Sequence, residues 1–186
     1  AKFGRHPAFV KAKTIAGLLG RGYVVESSFG HIRDLPSKKT DVPAAQRERF
    51  GDPVGVDVDG GFEPLYVVPP GRAKEQVRKL KAALKDADEL LLATDEDREG
   101  EAIAWHLREE LRPKIPVHRM VFHEITADAI HEAVDNPRDI DEDLVDAQET
   151  RRIVDRLYGY EVSPVLWRKV MQGLSEEGGS GMFMDM

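Results

Sequence analysis

The chain of 186 residues contains no cysteine, which excludes disulfide bonds, thiolate metal ligands and cysteine nucleophiles. It has no apolar run of the roughly 18 residues that a membrane-spanning helix needs, and no stretch with the character of a signal peptide. We therefore expect a cytoplasmic protein. Hydrophobic residues make up 41% of the chain, which is enough for the core of one ordinary domain with an appendage.

An overall excess of basic residues is also missing, because the formal net charge is −7. A protein that bound DNA over its whole surface would carry the opposite sign. A local basic patch can still bind nucleic acid, and acidic metal ligands would themselves lower the total charge. The charge therefore restricts a nucleic-acid site to part of the surface.

β-Prone runs and helical patterns alternate along most of the chain. The β-prone runs are residues 23–25, 54–58, 65–68, 90–93 and 117–122, and the helical patterns are residues 11–19, 72–84 and 127–134. This alternation predicts an α/β fold with a mostly parallel sheet flanked by helices. The polar segment 37–53 predicts a mobile surface loop, and residues 143–160 predict one long helix that Gly159, Ser163 and Pro164 end.

Three carboxylates follow the apolar run 90–93, namely Asp95, Asp97 and Glu99, and Gly100 comes directly after them. Alternate residues of an extended segment share one side, so the three side chains can lie together. Such hard oxygen ligands favour Mg²⁺, which keeps waters that a phosphate can replace. An acidic triplet is equally typical of a solvated helix start, where the helix dipole favours negative charge. The pattern alone leaves both interpretations open.

Two further pairs of residues have a functional and an ordinary interpretation. His31 and Arg33 occupy a turn with a polar centre, where they can serve a site or simply complete the hydrogen bonding of a loop. Arg151 and Asp155 have the i,i+4 spacing of a helical ion pair, which on a solvated face contributes little to stability.

Several segments together resemble bacterial type IA DNA topoisomerases (topoisomerase I), and they occur in that family's order. These segments are Lys-Ala-Lys-Thr-Ile-Ala at 11–16, Gly-His-Ile-Arg-Asp-Leu-Pro at 30–36, Phe-Glu-Pro-Leu-Tyr at 62–66, Ala-Thr-Asp-Glu-Asp-Arg-Glu-Gly-Glu-Ala-Ile-Ala-Trp-His at 93–106, Phe-His-Glu-Ile-Thr at 122–126 and the stretch 146–160. The resemblance implies a Rossmann-like Toprim domain at residues 1–140. It also implies the start of a helical DNA-binding domain at 141–175, followed by a flexible tail at 176–186.

The family relaxes negatively supercoiled DNA without ATP, by cutting one strand through a 5′-phosphotyrosine and resealing it with the support of Mg²⁺. The resemblance therefore implies single-stranded or negatively supercoiled DNA as partner, a monomer, and a place in the cytoplasm at the nucleoid. The matching site positions fall into a metal set, a catalytic set and a DNA-binding pair: Asp95, Asp97 and Glu99; Lys11, His31 and Arg33; and Arg151 with Asp155.

The chain departs from the family pattern in two places. Alignment on Lys11 puts Pro7 where the family has a catalytic Glu, and none of the chain's tyrosines lies in the family's nucleophile motif. We therefore expect an N-terminal fragment that contributes Mg²⁺ and DNA binding without cutting a strand. The alternatives are a stand-alone Toprim nuclease or primase-like protein and a non-catalytic DNA-binding module.

Overall fold

A computed structural model describes the backbone of residues 7–28 and 30–177 and the side chains of residues 12–28 and 30–160. The helices are α1 (Pro7–Leu19), α2 (Arg47–Phe50), α3 (Arg72–Ala83), α4 (Arg98–Leu111), α5 (Ala127–Asp135) and α6 (Glu142–Glu177). The strands are β1 (Val56–Asp57), β2 (Glu63–Pro64), β3 (Leu90–Leu92) and β4 (Val117–Arg119). The order of these elements confirms the α/β class.

The centre of the fold is a parallel pair, β3 and β4, connected by α4. Leu90 pairs with Val117 and Leu92 pairs with Arg119. A parallel pair needs a crossover of this kind, since a short turn cannot return the chain to the same end of the sheet. Strands β1 and β2 form a separate antiparallel hairpin. Within the described ranges, regular sheet is limited to these two pairs of strands. The mostly parallel sheet that the sequence predicts therefore corresponds to one parallel pair, β3 and β4.

The run 23–25 is predicted as a strand but forms none. Tyr23 and Val24 are exposed, with 79% of Val24 accessible, and only Val25 packs against buried residues. A β-prone run becomes a strand only where a neighbour supplies hydrogen-bond partners, and no strand among the described residues pairs with this segment.

Side chains of β3 alternate between two cores on opposite faces of the parallel pair. Leu92 packs with Val77 of α3 and Leu107 of α4 on one face. Leu91 packs against Met120 and Ile130, on the face that α1 and α5 cover. This is the period-2 burial of a strand that is covered on both faces. Full burial of one such aliphatic side chain contributes about 1.5–3 kcal/mol.

The segment 37–53 differs from the predicted mobile loop. It forms two single-turn 3-10 helices and α2, and it encloses a small core of Val42, Phe50 and Val54. These three apolar residues are too widely spaced to produce a periodic pattern, which is why the sequence reads as polar and irregular.

Helix α6 continues to Glu177, so the prediction that it ends at Gly159, Ser163 and Pro164 is wrong. Glycine and proline make a helix less stable, but proline removes only one backbone hydrogen bond, and a bend can accommodate it. The helix also covers the first two residues of the predicted tail at 176–186, while residues 178–186 lie outside the described part of the chain. None of the helices in that part combines the length and apolar composition needed to cross a bilayer.

Candidate functional site

The acidic loop, residues 94–100, connects β3 to α4 in a tightly folded turn. Asp97 is the N-cap of α4, and its Oδ1 accepts a hydrogen bond of 2.7 Å from the N–H of Gly100. The hydroxyl of Thr94 donates to the carbonyl of Gly100 at 2.6 Å. Gly100 lies so close to Asp95 that a Cβ would stand 1.9 Å from the Asp95 carbonyl oxygen. The loop therefore depends on a residue without a side chain at position 100.

The three predicted metal ligands share this loop and the first turn of α4, and all three are exposed. Glu99 Oε1 lies 3.5 Å from His31 Nε2, which brings the loop 30–36 next to the acidic loop. Within the described residues, no three acidic or histidine side chains come close enough to hold a metal ion. Carboxylate oxygens are the kind of hard ligand that suits a divalent cation such as Mg²⁺. The structure thus places Asp95, Asp97 and Glu99 in one short segment, but their carboxylates do not converge on a single position.

Arg33 points from the loop 30–36 into a partly buried pocket of aromatic rings. Its Nε donates a hydrogen bond of 3.0 Å to Nδ1 of His106 on α4. Its guanidinium lies 5.0 Å from the ring centre of Trp105 and 5.4 Å from that of Tyr66. Cation–π contacts of this kind stabilise the charged group when it is desolvated. Arg33 is therefore held in one orientation by α4.

His106 connects Arg33 to α6. Its Nε2 lies 3.3 Å from Oε1 of Glu149, so the imidazole accepts from Arg33 at Nδ1 and donates to Glu149 at Nε2. Burial is the main cause that lowers the pKa of His106, although Glu149 favours the charged form. The imidazole is therefore neutral at pH 7, which is the state that can both accept and donate.

Tyr66 completes this cluster. Its hydroxyl and Oε2 of Glu149 are both buried and make no hydrogen bond with any other described residue. Burial, and after it the neighbouring Glu149 carboxylate, raise the pKa of Tyr66 well above its usual value. The phenol is therefore protonated at pH 7.

A first prediction concerns pH. A histidine whose pKa is lower in the folded than in the unfolded state binds fewer protons when folded, so its contribution to stability is complete above about pH 6.5 and is lost as the pH falls. The free energy of unfolding should decrease by up to about 1.4 kcal/mol per pH unit below that value. The measurement is urea unfolding from pH 8 to pH 5.

The control is His106→Gln, because glutamine can accept from Arg33 and donate to Glu149 but does not titrate. The variant should have a flatter dependence on pH than the parent. Equal slopes for the two proteins would contradict the assignment of this titration to His106.

Helix α6 is anchored to the loop 30–36 by two arginines. Arg152 binds both carboxylate oxygens of Asp34, and Arg156 donates to the carbonyl of Pro36 at 2.8 Å. Burial alone would raise the pKa of Asp34, but the hydrogen bonds from Arg152 outweigh it and hold this pKa below its usual value. Two-point pairing of this kind fixes orientation as well as charge.

Arg151 and Asp155 lie on an exposed part of α6, with Nε of Arg151 3.6 Å from Oδ2 of Asp155. More than half of each side chain is accessible, so their pairing contributes little to stability. Lys11 belongs to α1, and its side chain lies outside the described residues. The structure therefore brings His31 next to Glu99 and Arg33 next to His106, while Arg151 and Asp155 face solvent on the adjoining helix.

Several residues of this region were not predicted from the sequence. They are the connecting and anchoring side chains Tyr66, His106, Glu149, Arg152 and Arg156, and the buried pair Glu101 and Arg119. Most of them lie inside the resembling segments, which is a signal that could have selected them. Their neutral or paired state depends on partners far away in the chain.

Comparison with known proteins identifies the family of this chain. The Toprim domain family model matches residues 9–125, beginning just past Pro7. DNA topoisomerase 1 of Streptomyces coelicolor is 65% identical over 182 residues, covering 94% of this chain and 19% of the relative. DNA topoisomerase 1 of Mycolicibacterium smegmatis is 66% identical over 165 residues, covering 89% of this chain and 18% of the relative.

The solved structure of full-length topoisomerase I from Thermotoga maritima matches with a TM-score of 0.69 and 48% identity, covering 88% of this chain and 25% of that chain. The present chain spans about a fifth of the length of these curated relatives. The family match covers more than half of the chain and includes the acidic loop, α4 and β4. The chain therefore belongs to the Toprim domain family and is homologous to the N-terminal region of bacterial DNA topoisomerase 1.

Proposed function

We propose that this chain is the Toprim part of a type IA topoisomerase that binds Mg²⁺ through its acidic loop and single-stranded DNA beside it. The observation that carries the proposal is the contact of the loop 30–36 with two neighbours at once. His31 lies against Glu99 of the acidic loop, and Asp34 binds Arg152 of α6. A phosphate beside His31 would therefore lie next to both the acidic loop and α6.

The proposed domain limits are residues 1–140 for the Toprim domain and 141–175 for the start of the helical DNA-binding domain, with 176–186 as a tail. The start of α6 at Glu142 supports the first limit. In the proposed setting the chain acts as a monomer in the cytoplasm, at the nucleoid. A molar mass from light scattering that corresponds to a dimer would argue against the monomer.

The metal proposal rests on the donor chemistry of the acidic loop. Toprim domains of topoisomerase I are generally metal-binding, and we assign Asp95, Asp97 and Glu99 as the ligands of Mg²⁺ here. When bound, Mg²⁺ would neutralise negative charge on a phosphate oxygen. The exposed carboxylates would supply the oxygen ligands, and His31 beside Glu99 would border the phosphate.

The variant Asp97→Asn tests the metal proposal. Asparagine is as good an N-cap as aspartate, so the helix start should survive while the charge is lost. We expect Mg²⁺ affinity to fall by about tenfold or more, because removal of a charged ligand costs at least as much as removal of an outer partner. Isothermal titration with MgCl₂ measures the change.

The matched control is Glu96→Gln, which removes a charge from the same loop at a residue that contacts His123 and is not a proposed ligand. Its Mg²⁺ affinity should stay within about twofold of the parent, since exposed charges interact weakly through solvent. Parent and Asp97→Asn titrations that coincide would remove the basis for this metal site.

The proposed catalytic set is Lys11 near the scissile phosphate, with His31 and Arg33 on the loop that borders it. The proposed DNA-binding pair is Arg151 with Asp155 on α6. The exposed guanidinium of Arg151 has only a weak partner in Asp155, so a phosphate can compete for it. The chain's overall negative charge requires such contacts to be local.

Substitution of Arg151 should weaken binding of a single-stranded oligonucleotide and make it less dependent on salt. Removal of one phosphate contact should reduce the slope of log affinity against log salt concentration by about 0.7 for single-stranded DNA. Fluorescence anisotropy of Arg151→Ala at several salt concentrations measures this slope. Lys81→Ala is the control, because it also removes one exposed positive charge, here from an ion pair with Glu110 that is not among the proposed DNA contacts. Equal slopes for parent and Arg151→Ala would exclude Arg151 from the interface.

We propose that strand cleavage needs a nucleophile that the residues of this site do not supply. A transesterification needs a hydroxyl aligned with the phosphate. The hydroxyl of Tyr66 is buried and held protonated, which makes it unsuitable as a nucleophile. We therefore propose that this chain alone binds metal and DNA without relaxing supercoils. Metal-dependent cutting of labelled single-stranded DNA by the pure chain would favour a nuclease instead.

A further inference from the structure

Two charged side chains at the centre of the fold are completely buried. Arg119 on β4 and Glu101 on α4 each have no exposed surface. Their charged groups lie 2.9 Å apart, from Nη2 to Oε1. An apolar pair of similar volume would often serve stability as well as a buried ion pair does. The reason for burying these two charges therefore lies in the other groups that they bind.

The guanidinium of Arg119 binds the backbone where β3 passes into the acidic loop. It donates hydrogen bonds to the carbonyl oxygens of Leu92, Thr94 and Asp95, at 2.6, 3.1 and 3.1 Å. A planar fork with several N–H groups can bind separate carbonyls in fixed directions. The side chain of Arg119 thus sets the orientation of the peptides that carry the first carboxylate of the loop.

Glu101 holds Arg119 in place and connects it to the beginning of α6. Its Oε1 also accepts a hydrogen bond from Arg138, and its Oε2 accepts one of 3.1 Å from the N–H of Asp141, just before α6 starts. The backbones of Arg119 and Arg138 also hydrogen-bond to each other in both directions. One carboxylate therefore joins the underside of the acidic loop to the entry of the helix that carries Arg151.

We infer that Arg119 and Glu101 are positioning residues for the acidic loop, and that Arg138 extends this support to the start of α6. The inference rests on the proposed Mg²⁺ site for its functional meaning. The support acts on the loop backbone, and the exposed carboxylates remain available to a ligand.

The variant Arg119→Lys tests this role in the full chain. A lysine keeps the charge, but its single ammonium cannot bind Glu101 and three carbonyls at the same time. We expect Mg²⁺ affinity to fall by about tenfold or more, as outer-shell substitutions commonly cause. We also expect faster amide hydrogen exchange in residues 94–100 without any divalent ion, because the loop carbonyls lose their donor.

Two further variants keep the test decisive. If Arg119→Lys does not unfold cooperatively, Arg138→Gln replaces it, since the Arg138 side chain is about one third exposed and contacts Glu101 from the edge. A several-fold weaker Mg²⁺ affinity is expected for Arg138→Gln. Arg108→Gln is the control, because it breaks an exposed pair with Glu142 at the start of α6 without touching the acidic loop.

Each outcome separates this inference from the proposed function. If Asp97→Asn loses Mg²⁺ while Arg119→Lys, or its replacement, binds like the parent with unchanged exchange at 94–100, the positioning role is wrong and the metal site stands. If the parent binds no Mg²⁺, the proposed function fails. Amide hydrogen exchange at residues 94–100 of Arg119→Lys, or of its replacement, then decides alone. Exchange faster than in the parent supports the positioning role, and unchanged exchange overturns it. Equal effects from Arg108→Gln would also overturn it.

Discussion

Replacement of Glu101 by alanine should lower the free energy of unfolding by about 3–5 kcal/mol, because it leaves the Arg119 guanidinium buried without a counter-charge. Arg119 has no exposed surface from which water could solvate it. The N–H of Asp141 also loses its acceptor. Urea unfolding at pH 7, where the carboxylate of the parent is charged, measures the loss.

A double variant shows whether charge is the cause. Glu101→Leu combined with Arg119→Met removes both buried charges, and such replacements are often neutral or stabilising. We expect only partial recovery of stability, because the carbonyls of Leu92, Thr94 and Asp95 lose their donor. A loss below about 1 kcal/mol for Glu101→Ala alone would mean that the ion pair is solvated or replaceable in the folded protein.

Replacement of Gly100 by alanine should disrupt the acidic loop, although alanine is the better helix former. The new Cβ would stand 1.9 Å from the carbonyl oxygen of Asp95 and 2.8 Å from its carbonyl carbon. These are backbone atoms of a loop that Arg119 holds from below, so they cannot move aside cheaply. We expect a loss of about 1–3 kcal/mol in the free energy of unfolding, as for other overpacked sites, together with weaker Mg²⁺ binding.

Gly17→Ala is the matched control, since Gly17 also lies in a helix but has open space where its Cβ would be. It should stabilise the protein by about 0.5–1 kcal/mol. The two substitutions should therefore change the free energy of unfolding in opposite directions in the same assay. A Gly100→Ala variant as stable as Gly17→Ala, with unchanged Mg²⁺ affinity, would show that the loop can relax around a methyl group.

Local elements of this fold follow from short-range chemistry, which is why the sequence could predict them. Helix α5 begins after Thr126 because its hydroxyl accepts from the N–H of Ala129. Helix α1 ends at Leu19 because the next residue, Gly20, has a φ of +74° that favours glycine. The run of leucines before Asp95 predicts β3 for a similar reason. Each of these decisions involves residues within a few positions of one another.

The long helix shows where local chemistry is insufficient. The spacing of Arg152 and Arg156 puts them on one face of α6, but their preference for the loop 30–36 depends on Asp34 and Pro36, far away in the chain. Arg151, beside Arg152 in sequence, faces solvent instead. Only the packing of α6 against α4 decides which of the neighbouring arginines is an anchor and which is free for a ligand.

The sequence by itself determined the family resemblance, the succession of β3, α4 and β4 and the position of the acidic loop between β3 and α4, because these depend on residue types at short spacings. The tertiary structure decided that Asp97 caps α4, that Glu99 meets His31 and that Arg119 supports the loop from below. The last contact exists because parallel pairing puts Arg119 beside Leu92, and that register depends on long-range burial that no short segment encodes.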